Sequence, residues 1–351
     1  MSKKVRIGFV GVGGMGQCAH LRNYVALKED CEVVALAEVM QNKGKLVAER
    51  YGIPKVYTDH NEMLANEELD GIVASQQFTR HGVVVMDLAK HGIPVFTEKP
   101  LAASLPVGEA IVKALEGSAC THVVGYHKRS DPATEYAKAT IDELKESGEL
   151  GKMKYVRMLM PAGDWIAGGF DVLLNAEDEA PDLEQDPAPD DMDEGLYGFY
   201  IGFVNYYIHQ VNLIRHLLGE PYSVTYADPS GVLMVGASDS GVPCTLEMTP
   251  YSTSIEWEES ALIAFEHGYV KLKLPAPLAY KRPGSVEILK DVAGSTPMVS
   301  SPHLPWVHAM EKQALNFIRF IRGEAPPMCE AAEALEDLKV ARQYVRLRKG
   351  K

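Results

Sequence analysis

The sequence has no apolar run near the ~18–20 residues needed to span a bilayer, so a membrane protein is not expected. It has no CxxC pair either. Its five cysteines, Cys18, Cys31, Cys120, Cys244 and Cys329, are scattered and odd in number. That pattern fits reduced structural thiols rather than a disulfide framework or a zinc site. HExxH spacing and an EF-hand pattern are also missing, so no metal is expected. There is no basic patch for nucleic acid. The formal charge is −13, but ten acidic residues and no Lys or Arg fall between Glu177 and Glu194. That stretch reads as a solvated loop, with a lid as the second reading. Internal repeats and long linkers are absent. The polar lead-in Met1-Ser2-Lys3-Lys4 runs directly into strand-like sequence without a signal-peptide pattern, which gives a cytoplasmic expectation.

What is present points to two domains, since 351 residues exceed what one core usually supports. Up to Gly125, strand-like runs (Val5–Val10, Glu32–Ala37, Asp70–Ser75, Pro94–Thr97, His122–Gly125) alternate with helical stretches near Gly14 and at Lys43–Tyr51, His81–His91 and Leu105–Leu115. Such alternation predicts an α/β fold with an N-terminal doubly wound parallel (Rossmann) sheet over 1–125. From 126 to 351 the rhythm changes. Helices at Ala133–Ser147 and about Gly202–Leu218 accompany consecutive strand-like runs, and two helices near 304–322 and 328–348 close the chain. This predicts a C-terminal α+β domain with a mostly antiparallel open sheet, the last helices packing back on the first domain.

The strongest local motif is Gly11-Val12-Gly13-Gly14-Met15-Gly16, a G-x-G-x-x-G between a strand and a helix. Gly11 would allow the tight turn, Gly13 a close approach to a pyrophosphate, and Gly16 tight helix–strand packing. The opening N–H groups of the helix, with Gly14 and Met15, then face the phosphates. Glu38 ends the second strand 22 positions after Gly16, where a carboxylate can accept from the adenosine ribose hydroxyls and repel a 2′-phosphate. No arginine lies in the next eleven residues and Lys43 is the nearest cation, so NAD is favoured over NADP.

Farther along, Val95-Phe96-Thr97 leads into Glu98-Lys99-Pro100-Leu101. With the glycine motif, Tyr51-Gly52-Ile53-Pro54, His81, Gly125-Tyr126-His127-Lys128-Arg129, His209 and Leu217-Leu218-Gly219-Glu220-Pro221, the chain resembles the Gfo/Idh/MocA oxidoreductases over essentially its whole length. The resemblance implies a cofactor site that includes Gln76, His81, Glu98 and Lys99. It implies that Lys99 lies beside nicotinamide and substrate, where an ammonium favours alkoxide character as hydride leaves. It also implies a D-x-x-x-H element, read here as Asn205-Tyr206-Tyr207-Ile208-His209, with His209 as general base for the same hydroxyl. Asn205, His209, Asn212 and His216 share one helix face by spacing, and His216 is read as structural. Tyr126, His127, Arg129, Trp165, Asn205 and Asn212 are the implied substrate-side residues.

The chain departs from the family pattern in three places. Asn205 and Asn212 stand where the family usually or often has Asp, and Gln76-Gln77 replaces a common Thr-Pro. An amide holds hydrogen bonds to hydroxyls but does not raise the basicity of a neighbouring histidine as a carboxylate does. Tyr197, Phe199, Tyr200, Phe203, Tyr206 and Tyr207 read first as core and second as a stacking wall. The implied activity is hydride transfer between nicotinamide and a secondary alcohol or ketone of a sugar, polyol or glycoside. The alternatives are a redox-neutral enzyme with tightly bound NAD and a non-catalytic dinucleotide sensor or co-repressor. A homodimer or homotetramer, formed through the second-domain sheet, is also implied.

Overall fold

The computed structural model of the chain describes residues 3–350, so Met1 and Ser2 of the polar lead-in lie outside the described residues. Two compact units emerge. The first takes the chain up to Tyr126 and regains 168–193 and 310–338; the second holds 127–167, 194–309 and the C-terminal residues from 339. The second unit opens at His127, one residue after the expected 125/126 boundary, and the acidic segment joins much of the last two helices in the first unit.

In the first unit, strands β1 (Val5–Val10), β2 (Cys31–Ala37), β3 (Lys55–Tyr57), β4 (Gly71–Ala74), β5 (Val95–Glu98) and β6 (His122–Gly125) form one six-stranded sheet in the order β3-β2-β1-β4-β5-β6. All neighbours are parallel. This is the order of a doubly wound dinucleotide-binding sheet, with its switch point between β1 and β4. β1, β4, β5 and β6 are buried nearly throughout. That is why their sequences are continuous apolar runs rather than alternating ones.

The helix expected near Gly14 passes through a π-helical stretch, Gly16–Leu21, before α1 (Arg22–Ala26). α2 (Gln41–Tyr51), α3 (His60–Asn66), α4 (His81–Ala89) and α5 (Leu105–Leu115) follow. α2 stops at Gly52, whose φ of 69° is the left-handed cap glycine supplies readily. α5 starts on Ser104, whose side chain accepts from Val107 N. A core of Ile7, Phe9, Tyr24, Leu36 and Phe96 is closed by Phe317 and Ile318 from near the C-terminus.

In the second unit, α6 (Pro132–Ser147) is capped by Asp131, carries proline in its first turn, and ends on left-handed Gly148. β7 (Met153–Leu159) precedes the long α7 (Glu194–Leu218). β8 (Tyr222–Ala227), β9 (Leu233–Ser238), β10 (Pro243–Glu247), β11 (Ser260–Phe265), β12 (Gly268–Lys273), β13 (Ser285–Lys290) and β14 (Met298–Ser300) complete an eight-stranded sheet with β7. Its order is β14-β13-β12-β11-β7-β10-β9-β8, antiparallel except for the β7–β10 pair. α8 (Ala309–Ile321) and α9 (Ala331–Arg348) follow.

Candidate active site

In the first unit the glycine loop separates two kinds of glycine. A Cβ built on Gly11, whose φ is +88°, would lie 2.5 Å from Gln76 Nε2 and 2.8 Å from Ser75 O. One built on Gly16 would lie 2.7 Å from Gly11 O. These two are required by the protein's own packing. A Cβ on Gly13 would meet nothing within 4 Å, and one on Gly14 would first meet the Phe170 ring at 3.6 Å. The space over Gly13 sits at a strand-to-helix turn and is what a pyrophosphate backbone needs, so the residues present fit a dinucleotide.

Glu38 is buried. Its Oε2 accepts from Val12 N at 2.8 Å and its Oε1 from Met40 N at 3.0 Å, so it pins the glycine loop to the end of β2. Each carboxylate oxygen has a second lone pair, which leaves acceptor capacity for ribose hydroxyls. Gln76 packs over Gly11 and its Oε1 lies 3.4 Å from Arg80 Nη1. Met15 is half-buried.

His81 is wholly buried, with Nδ1 3.0 Å from Pro100 O and 3.2 Å from Leu101 O. Burial pushes its pKa down to about 4 although those carbonyls and Glu98 favour the charged form. The ring thus ties the start of α4 to the turn after β5. Glu98 is also buried, with Oε1 2.6 Å from His20 Nε2 and Oε2 accepting from Lys99 N at 3.2 Å. Burial raises its carboxyl, but the His20 hydrogen bond and charge and the Lys99 charge outweigh this and hold it below the usual range. Both of its oxygens thus hold bonds within the protein. Lys99 is half-buried, and Tyr126, the last residue of this stretch of the unit, is buried.

Sequence reasoning missed three participants here. His20 is one; its partner is 78 positions away, and no local pattern announces it. Gln17 is another. Its Nε2 donates to Val12 O at 2.8 Å and Leu174 O at 3.0 Å, and its Oε1 accepts from Leu174 N at 2.9 Å. The third is the segment 168–193 itself, whose Asp178 and Asp186 are bonded to helix N-termini. Most of that segment's other acids are exposed, as a solvated loop requires.

In the second unit the chain after β6 and the face of α7 bring several expected residues together. The His127 and His209 rings meet edge-on, centroids 4.5 Å apart at 77°, and both are buried. Arg129 Nε donates to Asn212 Oδ1 at 2.7 Å. Lys128 pairs with Glu259, which also accepts from Gln210 Nε2 at 2.7 Å, and the Lys128 ammonium lies 5.6 Å from the Trp257 ring centroid. Asn205, one turn before His209, is exposed, and His216 is half-buried. A small open depression is lined by His127, Lys128, Asp131, Ala276, Ala279 and Arg282. Burial lifts the Asp131 carboxyl to about 6 against the backbone N–H groups of Ala133 and Gly284 that favour its charge.

The aromatic residues of α7 divide. Tyr200 and Phe203 are core, and the Phe203 ring lies 4.5 Å from that of Tyr344. Tyr206 and Tyr207 instead join Trp165, Trp257 and Met160 in a separate apolar cluster. All five cysteines are buried, and no disulfide joins them among the described residues. Among those residues no group of three or more His, Cys, Asp or Glu forms a metal cluster, and no helix is long and apolar enough to cross a membrane.

A parallel sheet in this order, with its glycine turn open over Gly13, defines a dinucleotide-binding domain. Residues 5–126 match the GFO_IDH_MocA family, described as "Oxidoreductase family, NAD-binding Rossmann fold". That match covers the first stretch of the chain, up to Tyr126, and agrees with the resemblance its sequence carries. It is 26% identical over 275 residues to scyllo-inositol 2-dehydrogenase (NAD(+)) of Bacillus subtilis (strain 168), covering 74% of this chain and 72% of the relative. It is 26% identical over 308 residues to the inositol 2-dehydrogenase of Burkholderia lata, covering 82% of this chain and 80% of the relative. The fold is also that of levoglucosan dehydrogenase in complex with NADH, with a TM-score of 0.74 at 15% identity over 99% of this chain and 98% of that one. The protein is an NAD-binding oxidoreductase.

Proposed function

We propose that this protein uses NAD to oxidise a secondary hydroxyl of a sugar or polyol, or reduces the corresponding ketone. The observation that carries this reading is the polar cluster of the second unit, where His209 abuts His127 and Arg129 is held by Asn212. A buried imidazole beside hydrogen-bonding side chains suits a hydroxyl-rich ligand, and the relatives named above act on inositols. Bound nicotinamide supplies the hydride acceptor. The Lys99 ammonium stabilises the developing alkoxide, and the His209 imidazole takes the hydroxyl proton. His127, Arg129, Asn205 and Asn212 donate and accept hydrogen bonds to the ligand's other hydroxyls, and Tyr126 and Trp165 give it apolar surface. Glu38 favours NAD over NADP by repelling a 2′-phosphate. The protein works in the cytoplasm as a homodimer or homotetramer. The exposed Tyr226, Met298 and Val299 on strands of the eight-stranded sheet support that sheet as the contact.

The test mixes purified protein with NAD and a panel of inositols, aldoses and anhydrosugars and follows NADH absorbance. Turnover is expected with at least one member. Lys99→Met and His209→Asn should each lower kcat by about 10²–10⁴-fold with NADH affinity within threefold of the parent. No NADH from any member of the panel, in a protein that binds NADH, sinks the dehydrogenase reading. One observation favours the redox-neutral alternative with retained cofactor: the bonds of 168–193 across the dinucleotide end of the first unit. NAD that stays with the protein through extensive dialysis would select it.

A further inference from the structure

The acidic segment 168–193 is fastened to the rest of the first unit along its length. Phe170 lies against Gly14, Asp171 pairs with Arg22 at 3.0 Å, and Leu174 makes both its backbone bonds to Gln17. Asp178 accepts from the backbone N–H groups of Asn42 (Oδ1, 3.0 Å) and Lys43 (Oδ2, 2.9 Å) in the first turn of α2. Asp186 accepts from Gly82 N at 2.9 Å and Val83 N at 3.1 Å in the first turn of α4. These attachments follow β1, β2 and β4, at the carboxyl ends of the strands, where a doubly wound sheet binds its dinucleotide.

We propose that Asp178 is a cofactor-selecting residue, acting with Glu38 to exclude a 2′-phosphate from the end of β2. The proposal rests on the reading above that this cleft binds NAD. Glu38 and α2 are in contact there: a Cβ built on Gly44 would lie 3.2 Å from Glu38 Cβ. The first turn of α2 therefore lies against the carboxylate expected to read the ribose. The N–H groups of that turn are the natural partners for a phosphate beside the ribose, because the opening N–H groups of a helix have no acceptor within it. In this chain Asp178 already fills two of them with a carboxylate. Lys43, the nearest cation in sequence, turns its Nζ to Met40 Sδ at 3.1 Å. A 2′-phosphate would have to displace Asp178 from its N–H partners and still face Glu38. Replacing Glu38 alone removes only half of this barrier, so the usual single substitution should fail to convert the cofactor preference.

The experiment measures dissociation constants for NADH and NADPH by nicotinamide fluorescence and for 2′,5′-ADP by calorimetry. It uses the full chain, Glu38→Ser, Asp178→Ser, Asp178→Asn and the Glu38→Ser/Asp178→Ser double variant. NADH should bind the parent chain at least 100-fold more tightly than NADPH. Glu38→Ser should improve NADPH affinity by about tenfold, and adding Asp178→Ser by about tenfold more, with 2′,5′-ADP following NADPH. Asp178→Asn, which keeps one acceptor without the charge, should fall between Asp178 and Ser. A residue that only caps α2 would lower the melting temperature and leave the NADPH-to-NADH ratio unmoved. That result in the Glu38→Ser background overturns the proposal while NADH binding upholds the cleft. A parent chain that binds neither dinucleotide overturns the NAD reading itself, and one that binds both equally overturns the selection.

Discussion

His20 Nε2 and Glu98 Oε1 lie 2.6 Å apart, both side chains buried, and join the helix that follows the glycine loop to the residue that precedes Lys99. One interaction therefore ties the phosphate-binding turn to the segment carrying the proposed catalytic lysine. The second oxygen of Glu98 accepts from the backbone N–H of Lys99 and fixes the start of that turn. His81 supports the turn from the other side through Pro100 and Leu101.

Removing one partner of a buried, hydrogen-bonded pair leaves the other without compensation, at a typical cost of about 3–5 kcal/mol. Glu98→Ala is expected to destabilise the first unit by about that much, measured by urea unfolding. Glu98→Gln, which keeps an acceptor for Lys99 N, should lose less. A loss for Glu98→Ala below about 1 kcal/mol would show that the pair does not hold the two segments together.

The glycine loop offers a contrast within one motif. Gly16→Ala places a methyl group 2.7 Å from the Gly11 carbonyl, a backbone atom that has little freedom to move. A loss of about 1–3 kcal/mol is expected, as for other overpacked sites. Gly13→Ala meets no protein atom within 4 Å, so its melting temperature should stay within about 1 °C of the parent. Its NADH affinity should nevertheless fall by at least about tenfold, because the methyl group enters the space a pyrophosphate requires. Equal stability losses for the two variants would contradict this division.

Much of this was legible in the chain. The parallel sheet announced itself because strands buried on both faces are continuous apolar runs, as in Val5–Val10 and Val95–Glu98. β3 was not, because Lys55–Tyr57 is three residues long and half-exposed, too short for any periodicity. β14 was missed for the same kind of reason, since Met298–Ser300 is three residues long and exposed throughout. α7 begins eight residues before the expected Gly202, because Gly198 and Gly202 break the pattern of its first turns without ending the helix. At the site, the spacing that put His209 and Asn212 on one face was visible, but their partners His127 and Arg129 come from a segment over 80 residues earlier. The acidic segment was read by composition as a solvated loop. Composition does not reveal that Asp178 and Asp186 would cap helices about 135 and 104 residues away.

Stability should fall on mild acidification, and the cause lies in the first unit. Burial pushes His81 down to about 4 and His122, which also feels His81, down to about 3. Each is neutral in the folded chain but protonates when unfolded near pH 6.5. Their stabilisation is therefore present above pH 6.5 and is lost progressively as pH falls toward about 4 and 3. At pH 5 the loss is about 2 kcal/mol for each histidine. Asp131 in the second unit works in the opposite sense. With its pKa raised to about 6, its destabilising charge is present above that value and is relieved as pH falls toward the unfolded carboxylate range. Thermal unfolding from pH 8 to pH 5 should show a decline that begins near 6.5. Asp131→Asn, whose amide oxygen can still accept from Ala133 N and Gly284 N, should raise the melting temperature at pH 8 more than at pH 4. A flat profile across this range would contradict the assignment of neutral buried histidines.

Lys128 and Glu259 form a buried ion pair in the second unit, where Lys128 lines the open depression. Their side chains are 4% and 0% exposed, so neither charge has water to fall back on. Glu259→Leu alone should cost about 3–5 kcal/mol, because it leaves the buried Lys128 ammonium without its hydrogen-bonded carboxylate and removes the acceptor of Gln210. Adding Lys128→Met removes the stranded charge, and most of that loss should return, because apolar pairs often replace buried ion pairs at little cost. If the pair serves only to hold the fold, activity should return with stability. If Lys128 also contacts the ligand, the double variant should be as stable as the parent yet show a KM about tenfold higher at nearly unchanged kcat, the loss of one charge-assisted hydrogen bond. The second outcome is expected from the place of Lys128 beside His127 in the wall of that depression. A double variant with parental stability and parental KM would remove Lys128 from the substrate site and leave His127, Arg129 and His209 to account for binding.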